Sequence, residues 1–330
     1  QIKDCYSILG KEVSPTRLET FATCPYQYLL GNMMHIRDFV EPEVAHELSP
    51  LDRGAIVHDI LYKFLTELSD GGKKDVVVRE EHRKTLHRIA RDEFRQFAKR
   101  GITGFPALWM LEQQRILEWL HDFMEEELEG DDYRPAYFEV RYGMKSRGPV
   151  ESHISTDEPV LLAFGKRKVL LRGKIDRIDI SADKSRARVI DYKTGKAYSE
   201  PNDFEGGTSL QLPLYLHAAS HRLQEFHRGI RAEYAEYYHL AERGSKRHIR
   251  FTAETLATGR SELETILNTI ADYIEAGYFF AVPGDQCKYC DFLSICGSAR
   301  ATVFDLKSGD PSIRAYLDMT GEGEESEEDQ

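Results

Sequence analysis

The sequence predicts a mixed α/β domain, and three observations carry that prediction. Segments with apolar residues at helical spacing alternate with short runs rich in β-branched and aromatic residues, a pattern that layers helices on a sheet. Hydrophobic residues make up 41% of the chain and aromatic residues 11%, which supplies enough apolar surface for a sizeable core. At 330 residues the chain exceeds the usual single-domain length, yet one core wrapped by helical insertions accommodates it. One elaborated domain is therefore expected over residues 1–310, with an acidic, disordered tail over 311–330.

The elements follow in order. Ser14-Pro15 reads as an N-cap with proline at the first helical position, and Leu18, Phe21, Ala22 and Leu29 continue the helical spacing until Cys24-Pro25 interrupts it. A second helix is expected over 53–68, with Ile56, Ile60, Leu61, Phe64 and Leu65 as its apolar stripe and His58 off the stripe's centre. Residues 80–130 carry Arg, Glu, Leu and Phe at helical spacing, which predicts a helical insertion without recognisable chemistry. Strands are expected over 136–142, 169–180 and 187–192, the last two joined as a hairpin through Ser181–Ser185. A polar loop over 195–207, a helix over 210–223, a strand over 231–240 and a helix over 261–276 complete the core, and three closely spaced cysteines come last.

No apolar run approaches the eighteen or so residues of a membrane span, and the start carries no basic-then-apolar signal pattern, so a cytoplasmic protein is expected. The first residue is Gln1 rather than Met, which leads us to expect a longer or processed polypeptide with room for a domain upstream. A net charge of −12 disfavours phosphate binding, but the segment from Asp318 onward holds seven acidic and no basic residues, and without it the balance is −5. Basic residues cluster at Lys166, Arg167, Lys168, Arg172, Lys174 and Arg177, and again at Arg243, Lys246, Arg247 and Arg250. Either group suits DNA phosphates or a solvated charged surface equally.

The chemistry sits in Gly173-Lys174-Ile175-Asp176-Arg177-Ile178-Asp179 and, one turn later, Val189-Ile190-Asp191-Tyr192-Lys193. Asp191 and Lys193 are two apart and share a strand face, from which Tyr192 points away; antiparallel pairing brings Asp176 beside Asp191. Two adjacent carboxylates repel unless a cation lies between them, and hard oxygen donors suit magnesium or manganese. Such an ion polarises a phosphodiester and orients an attacking water, while a fixed Lys193 ammonium offsets charge on phosphorus. Charged alternation also occurs on solvated strand faces, so the spacing alone leaves both readings open. Asp179, three residues from Asp176, falls on the other face and reads as structural or as a support to the site residues. Glu139, on the preceding strand, reaches the site's edge, but carboxylates there ordinarily face water.

Cys287-x2-Cys290-x5-Cys296 gathers three thiols near the C-terminus, with Cys24 far upstream and Cys5 left over. In an intracellular chain such spacing points to metal rather than disulfides. Spacing does not distinguish a four-cysteine zinc site from an iron-sulfur cluster.

Taken together these residues resemble the PD-(D/E)xK nuclease superfamily, specifically its RecB-like branch. Five ordered elements carry the likeness: Gly54-x-x-x-His58, Gly173-x-x-Asp176, Asp191-Tyr192-Lys193, Gln211-x-x-x-Tyr215, and Cys24-Pro25 with the three late cysteines. The resemblance implies a restriction-endonuclease-like mixed sheet flanked by helices. It makes His58, Asp176 and Asp191 ligands of Mg2+ or Mn2+, Lys193 the catalytic lysine, and Gln211 and Tyr215 contacts to DNA or to that lysine. Cys24, Cys287, Cys290 and Cys296 match the iron-staple nucleases, which implies a structural [4Fe-4S] cluster. The likeness is strongest to AddB-type subunits of bacterial helicase-nucleases and runs from about residue 14 to 300.

The resulting expectation is a nucleoid-associated deoxyribonuclease, exonucleolytic, that processes DNA ends in double-strand break repair and recombination beside a helicase subunit or upstream helicase domain. No Gly-x-x-x-x-Gly-Lys-[Ser/Thr] phosphate loop occurs here, so ATP hydrolysis is not expected of this chain alone. The alternatives are a stand-alone CRISPR-adaptation-type nuclease, a catalytically inactive DNA-binding module of the same fold, and a cysteine-stapled structural domain.

Overall fold

The structure, a computed structural model, describes residues 7–37, 46–70, 79–145, 152–196 and 203–321. Cys5 and the acidic stretch 322–330 lie outside the described residues.

Strand β1 (Glu12–Val13) leads into helix α1 (Pro15–Thr23), where proline at the first turn costs no hydrogen bond. Cys24 caps α1 in extended conformation with its N–H on the Thr20 carbonyl, and Pro25 starts a new turn that widens into a π-helix over Tyr28–Met33. Three long helices follow: α2 (Pro50–Asp70), α3 (Arg79–Lys99) and α4 (Pro106–Glu129). Then come β2 (Tyr133–Tyr142), β3 (Val160–Phe164), β4 (Arg167–Leu171), β5 (Gly173–Ser181) and β6 (Arg186–Lys193). Helix α5 (Gln211–Phe226) crosses over to β7 (Arg231–His239), which pairs with β8 (His248–Thr252). Helices α6 (Ala253–Thr258), α7 (Arg260–Ala276), α8 (Leu293–Cys296), α9 (Arg300–Ser308) and α10 (Arg314–Thr320) close the chain.

The main sheet has the order β2-β5-β6-β7-β8, antiparallel except for the parallel β6/β7 pair. That parallel step requires a crossover, which α5 supplies. A smaller sheet, β1-β4-β3, stands beside it. One core joins Leu18 and Phe21 of α1, Leu212, Leu216 and Leu223 of α5, and Ile266 and Ile270 of α7 to Val140, Ile175, Val189 and Ala235 of the sheet. A second core, on the other face, packs Ile56, Ile60 and Phe64 of α2, Leu86 and Ile89 of α3, and Ile116, Leu120 and Phe123 of α4 against Ile190, Tyr192 and Tyr238. Strand β6 thus sends Ile190 and Tyr192 toward the long helices and Val189 toward α5.

The mixed sheet flanked by helices is the restriction-endonuclease-like arrangement expected. Several expected boundaries move. The single strand over 169–180 is two strands: the chain changes sheets at Arg172, because β4 pairs with β1 and β3 while β5 pairs with β2 and β6. An unbroken apolar alternation does not reveal such a switch. Strands β3 and β8 have no counterpart among the expected elements. Within the expected tail, residues 311–321 are not a disordered run: α10 buries Tyr316 and Leu317, and Tyr316 Oη donates to the Ala22 carbonyl at 2.5 Å. Acidic composition further along masks that short apolar anchor.

Candidate active site

Strands β5 and β6 place the first carboxylates. The register pairs Arg177 with Ile190, so Asp176 and Asp191 stand one step beyond, side by side at the hairpin's open end. Gly173 opens β5 because a Cβ there would lie 2.6 Å from the Tyr142 hydroxyl, a distance no side chain tolerates. The Asp176 side chain is buried, and its Oδ2 accepts the Tyr192 N–H at 3.0 Å. Its Oδ1 lies 3.3 Å from His58 Nδ1.

Helix α2 delivers His58 from above the sheet. A carbonyl only accepts, so the 2.9 Å contact from His58 Nε2 to the Tyr192 carbonyl keeps a hydrogen on Nε2. In the neutral ring Nδ1 then presents its lone pair toward Asp176, the tautomer a metal ligand requires. Burial alone would lower this imidazole, but the hydrogen bond and charge of Asp176 raise it to about 9. Asp176, which burial would raise, is held below its ordinary range by His58. The site thus attracts positive charge, whether a proton or a cation. Gly54, one turn before His58, meets only Thr194 Oγ1 at 3.8 Å, so packing does not demand glycine there and the approach to the site stays open.

Glu139 completes the cluster. It sits between the paired residues Phe138↔Arg177 and Val140↔Ile175, opposite Asp176, with φ of 52°, a left-handed conformation that costs a non-glycine residue. That local distortion aims its side chain inward: donor atoms of His58, Glu139 and Asp176 all lie within 4.8 Å of one another. Burial raises the Glu139 carboxyl, and the paired Lys174 ammonium lowers it. Composition gives no sign of this, because Glu139 looks like any carboxylate on a half-exposed strand. The backbone kink is what distinguishes it.

Asp191 and Lys193 form a neighbouring group on the α5 face of β6. Asp191 Oδ2 lies 2.6 Å from Lys193 Nζ, although the angle makes no well-directed hydrogen bond, and Oδ1 accepts from Gln211 Nε2 at 3.0 Å. Gln211 Oε1 accepts from Lys193 Nζ at 2.8 Å, and Gln211 Nε2 also reaches the Tyr215 hydroxyl at 3.2 Å. The ammonium lies 4.6 Å from the centre of the Tyr237 ring. Burial raises the Asp191 carboxyl to about 6, against the lowering effect of Lys193 and with the added repulsion of Asp176. His58, Asp176, Asp191, Lys193, Gln211 and Tyr215 are therefore brought to one place. Glu139 joins His58 and Asp176 in one cluster of donor atoms, and the Asp191 oxygens lie against Lys193 and Gln211.

Elsewhere, Cys24, Cys287, Cys290 and Cys296 line one small apolar cavity with Tyr26, Gln27, Val282 and Phe292. The Val282 N–H lies 3.5 Å from Cys24 Sγ. Burial raises the thiols of Cys24 and Cys296, and the neighbouring sulfurs add to the effect. Thiolates so placed need a cation to be stable. No three of these sulfurs lie within 4.8 Å of one another.

Several of the remaining charges are held in ion pairs. Asp179 is fully buried and paired with Arg177 and Arg188, while Arg177 also reaches Glu127 and the Tyr192 hydroxyl. Much of both basic clusters is spent in ion pairs: Arg167 with Asp272, Lys174 with Glu139, Arg247 with Glu126, and Arg250 with Glu236. Among the described residues, no helix is long and apolar enough to cross a membrane.

A mixed sheet of this order with acidic, imidazole and lysine groups gathered at its β5/β6 hairpin defines a class of nuclease fold, and similarity to known proteins identifies it. A sequence model of the PD-(D/E)XK nuclease superfamily matches residues 12–297, and the chain belongs to that superfamily. Among curated relatives, the B-type subunit of the ATP-dependent helicase/deoxyribonuclease of Carboxydothermus hydrogenoformans is 25% identical over 96% of this chain and 34% of its own length. Proteins of the same name from Symbiobacterium thermophilum and Moorella thermoacetica are 31% and 27% identical, over 62% and 63% of this chain and 17% of their own lengths. The chain spans between 17% and 34% of the length of these relatives.

Proposed function

We propose that this chain is the nuclease part of a helicase-nuclease, hydrolysing DNA exonucleolytically at ends during double-strand break repair, with Mg2+ or Mn2+ as the working ion. The carrying observation is the convergence of His58, Glu139 and Asp176 beside the Lys193–Asp191 pair. Imidazole and carboxylate donors of this kind fit a small hard cation, with His58 Nδ1, Glu139 and Asp176 holding it and Asp191 at its flank. A divalent ion bound there supplies charge neutralisation to the phosphodiester and acidity to a bound water.

The protein's own residues do the rest. Tyr192, through its N–H and carbonyl, fixes both Asp176 and His58, so two donors are aligned before substrate arrives. Lys193, held between Asp191 and Gln211, offers a cation to the nonbridging oxygens as charge builds on phosphorus. Asp191, with its carboxyl raised toward neutrality, is suited to accept a proton from an attacking water.

The four cysteines are read as ligands of a [4Fe-4S] cluster. Four cysteines around one cavity also suit a zinc ion, and the cluster reading rests on the likeness of the cysteine pattern to the iron-staple nucleases. A helicase partner is proposed from the names of the relatives, and a place at the chromosome follows from that role.

The reading is tested with end-labelled DNA, magnesium and the Asp191→Ala variant, DNA binding being measured alongside. We expect cleavage to fall by at least about a hundredfold with binding retained. Cleavage by the variant at the wild-type rate would remove Asp191 from the site.

A further inference from the structure

Helix α5 begins without a cap of its own. Leu210, the residue before it, has no side chain that can accept a hydrogen bond, so the first N–H groups of a sixteen-residue helix need a partner from elsewhere. Glu19 provides it across 191 residues of sequence: its Oε1 accepts the N–H of Leu210 at 2.8 Å and of Gln211 at 2.7 Å. A carboxylate at that position also meets the positive end of the helix dipole. Gln211 then connects α5 to the catalytic pair, its amide bridging Asp191 Oδ1 and Lys193 Nζ at 3.0 and 2.8 Å. Glu19 lies on α1, the helix that Cys24 caps.

We infer that Glu19 is a positioning residue for the reaction: it fixes the backbone of Gln211, and through that amide it holds the Lys193 ammonium where the scissile phosphate is attacked. This rests on the assignment of Lys193 under the proposed function. The chain of contacts is short and each link is a hydrogen bond of ordinary length. A shift of about 1 Å at the start of α5 moves the Gln211 amide away from Asp191 or Lys193, and displacements of that size cost about a hundredfold in rate. Glu19 Oε1 is engaged by the Leu210 and Gln211 N–H groups and is not among the clustered donors of His58, Glu139 and Asp176, so its loss is expected to act on turnover and to leave substrate affinity alone.

The test is steady-state cleavage of end-labelled DNA in magnesium by the wild type and by E19A, E19Q, Q211A, E19A/Q211A and K193A. Thermal unfolding is followed for each. We expect E19A to lower kcat about 10- to 100-fold with KM unchanged. E19Q, which keeps an accepting oxygen, recovers most of the loss. In the Q211A background E19A has no further effect, since both substitutions break the same linkage. Should E19A fail to fold, E19D carries the test, because the charge remains but the shorter side chain lowers kcat. A wild-type kcat for E19A, a change confined to KM, or losses in E19A and Q211A that multiply would overturn the inference while K193A remains inactive. Full cleavage by K193A would overturn the assignment of Lys193 and this inference with it.

Discussion

Glu139 is where backbone strain and chemistry meet. A left-handed φ of 52° is disfavoured for glutamate, and here it coincides with a carboxylate placed among His58 and Asp176. Removing the charge while keeping the shape isolates its contribution to cation binding. Glu139→Gln is therefore expected to weaken the apparent magnesium affinity by about tenfold or more, read from a magnesium titration of cleavage and from calorimetric binding of Mn2+. Equal metal affinity in the variant would mean that the kink serves only the Lys174 ion pair. The neighbouring positions teach a related lesson. Asp176, Asp191 and Lys193 are legible from a two-residue alternation on adjacent strands, because strand geometry alone puts them together. Glu139 is not, since its orientation depends on a single dihedral that composition does not encode.

At the level of elements, the long helices do more than cover the sheet. The C-terminal end of α4 reaches β7 and β8 through Glu126, which accepts from His248 Nε2 at 2.6 Å, from the Tyr238 hydroxyl at 2.8 Å and from Arg247 at 3.0 Å. Burial would lower His248, but its hydrogen bond to Glu126 and its ion pair with Glu236 raise it to about 9; burial would raise Glu126, but His248, Tyr238 and Arg247 lower it to about 2. A histidine whose folded pKa exceeds its ordinary 6.5 contributes stability that is complete below 6.5 and lost as pH rises through 9. Glu126, depressed from 4.5, contributes stability present above 4.5 and lost as pH falls through 2. The pair therefore stabilises most between pH 4.5 and 6.5. His248→Gln is expected to lower the unfolding temperature most in that window, with the difference from wild type shrinking as pH approaches 9. A difference independent of pH would place the effect in packing instead. The helices themselves are readable from periodicity, but this seam joins α4 to β8, a strand the sequence does not announce.

For the whole molecule, the cysteines bring together segments far apart in the sequence. Cys24 follows α1 and the other three lie beyond α7, so the metal group proposed there would close a loop of more than 260 residues. By loop-closure entropy such a link is worth on the order of 5–6 kcal/mol. Cys296→Ser or prolonged chelation is expected to release the metal and to lower the urea midpoint, together with cleavage, because α1 carries Glu19 as well as Cys24. Elemental analysis checks the nature of the group: iron and sulfide near about four each per chain support a cluster, whereas one zinc per chain would replace it. An unchanged urea midpoint after complete metal loss would remove the stapling role.

The sequence by itself determined the α/β class, most helix positions, the β5/β6 hairpin and the gathering of Asp176, Asp191 and Lys193. Each of these follows from local periodicity or from pairing between strands a few residues apart. Tertiary structure alone decided the sheet switch at Arg172, the burial of Tyr316, the turn of Glu139 toward His58 and the capping of α5 by Glu19. These depend on groups far apart in the chain or on one strained dihedral, and their partners are chosen only when the core has closed.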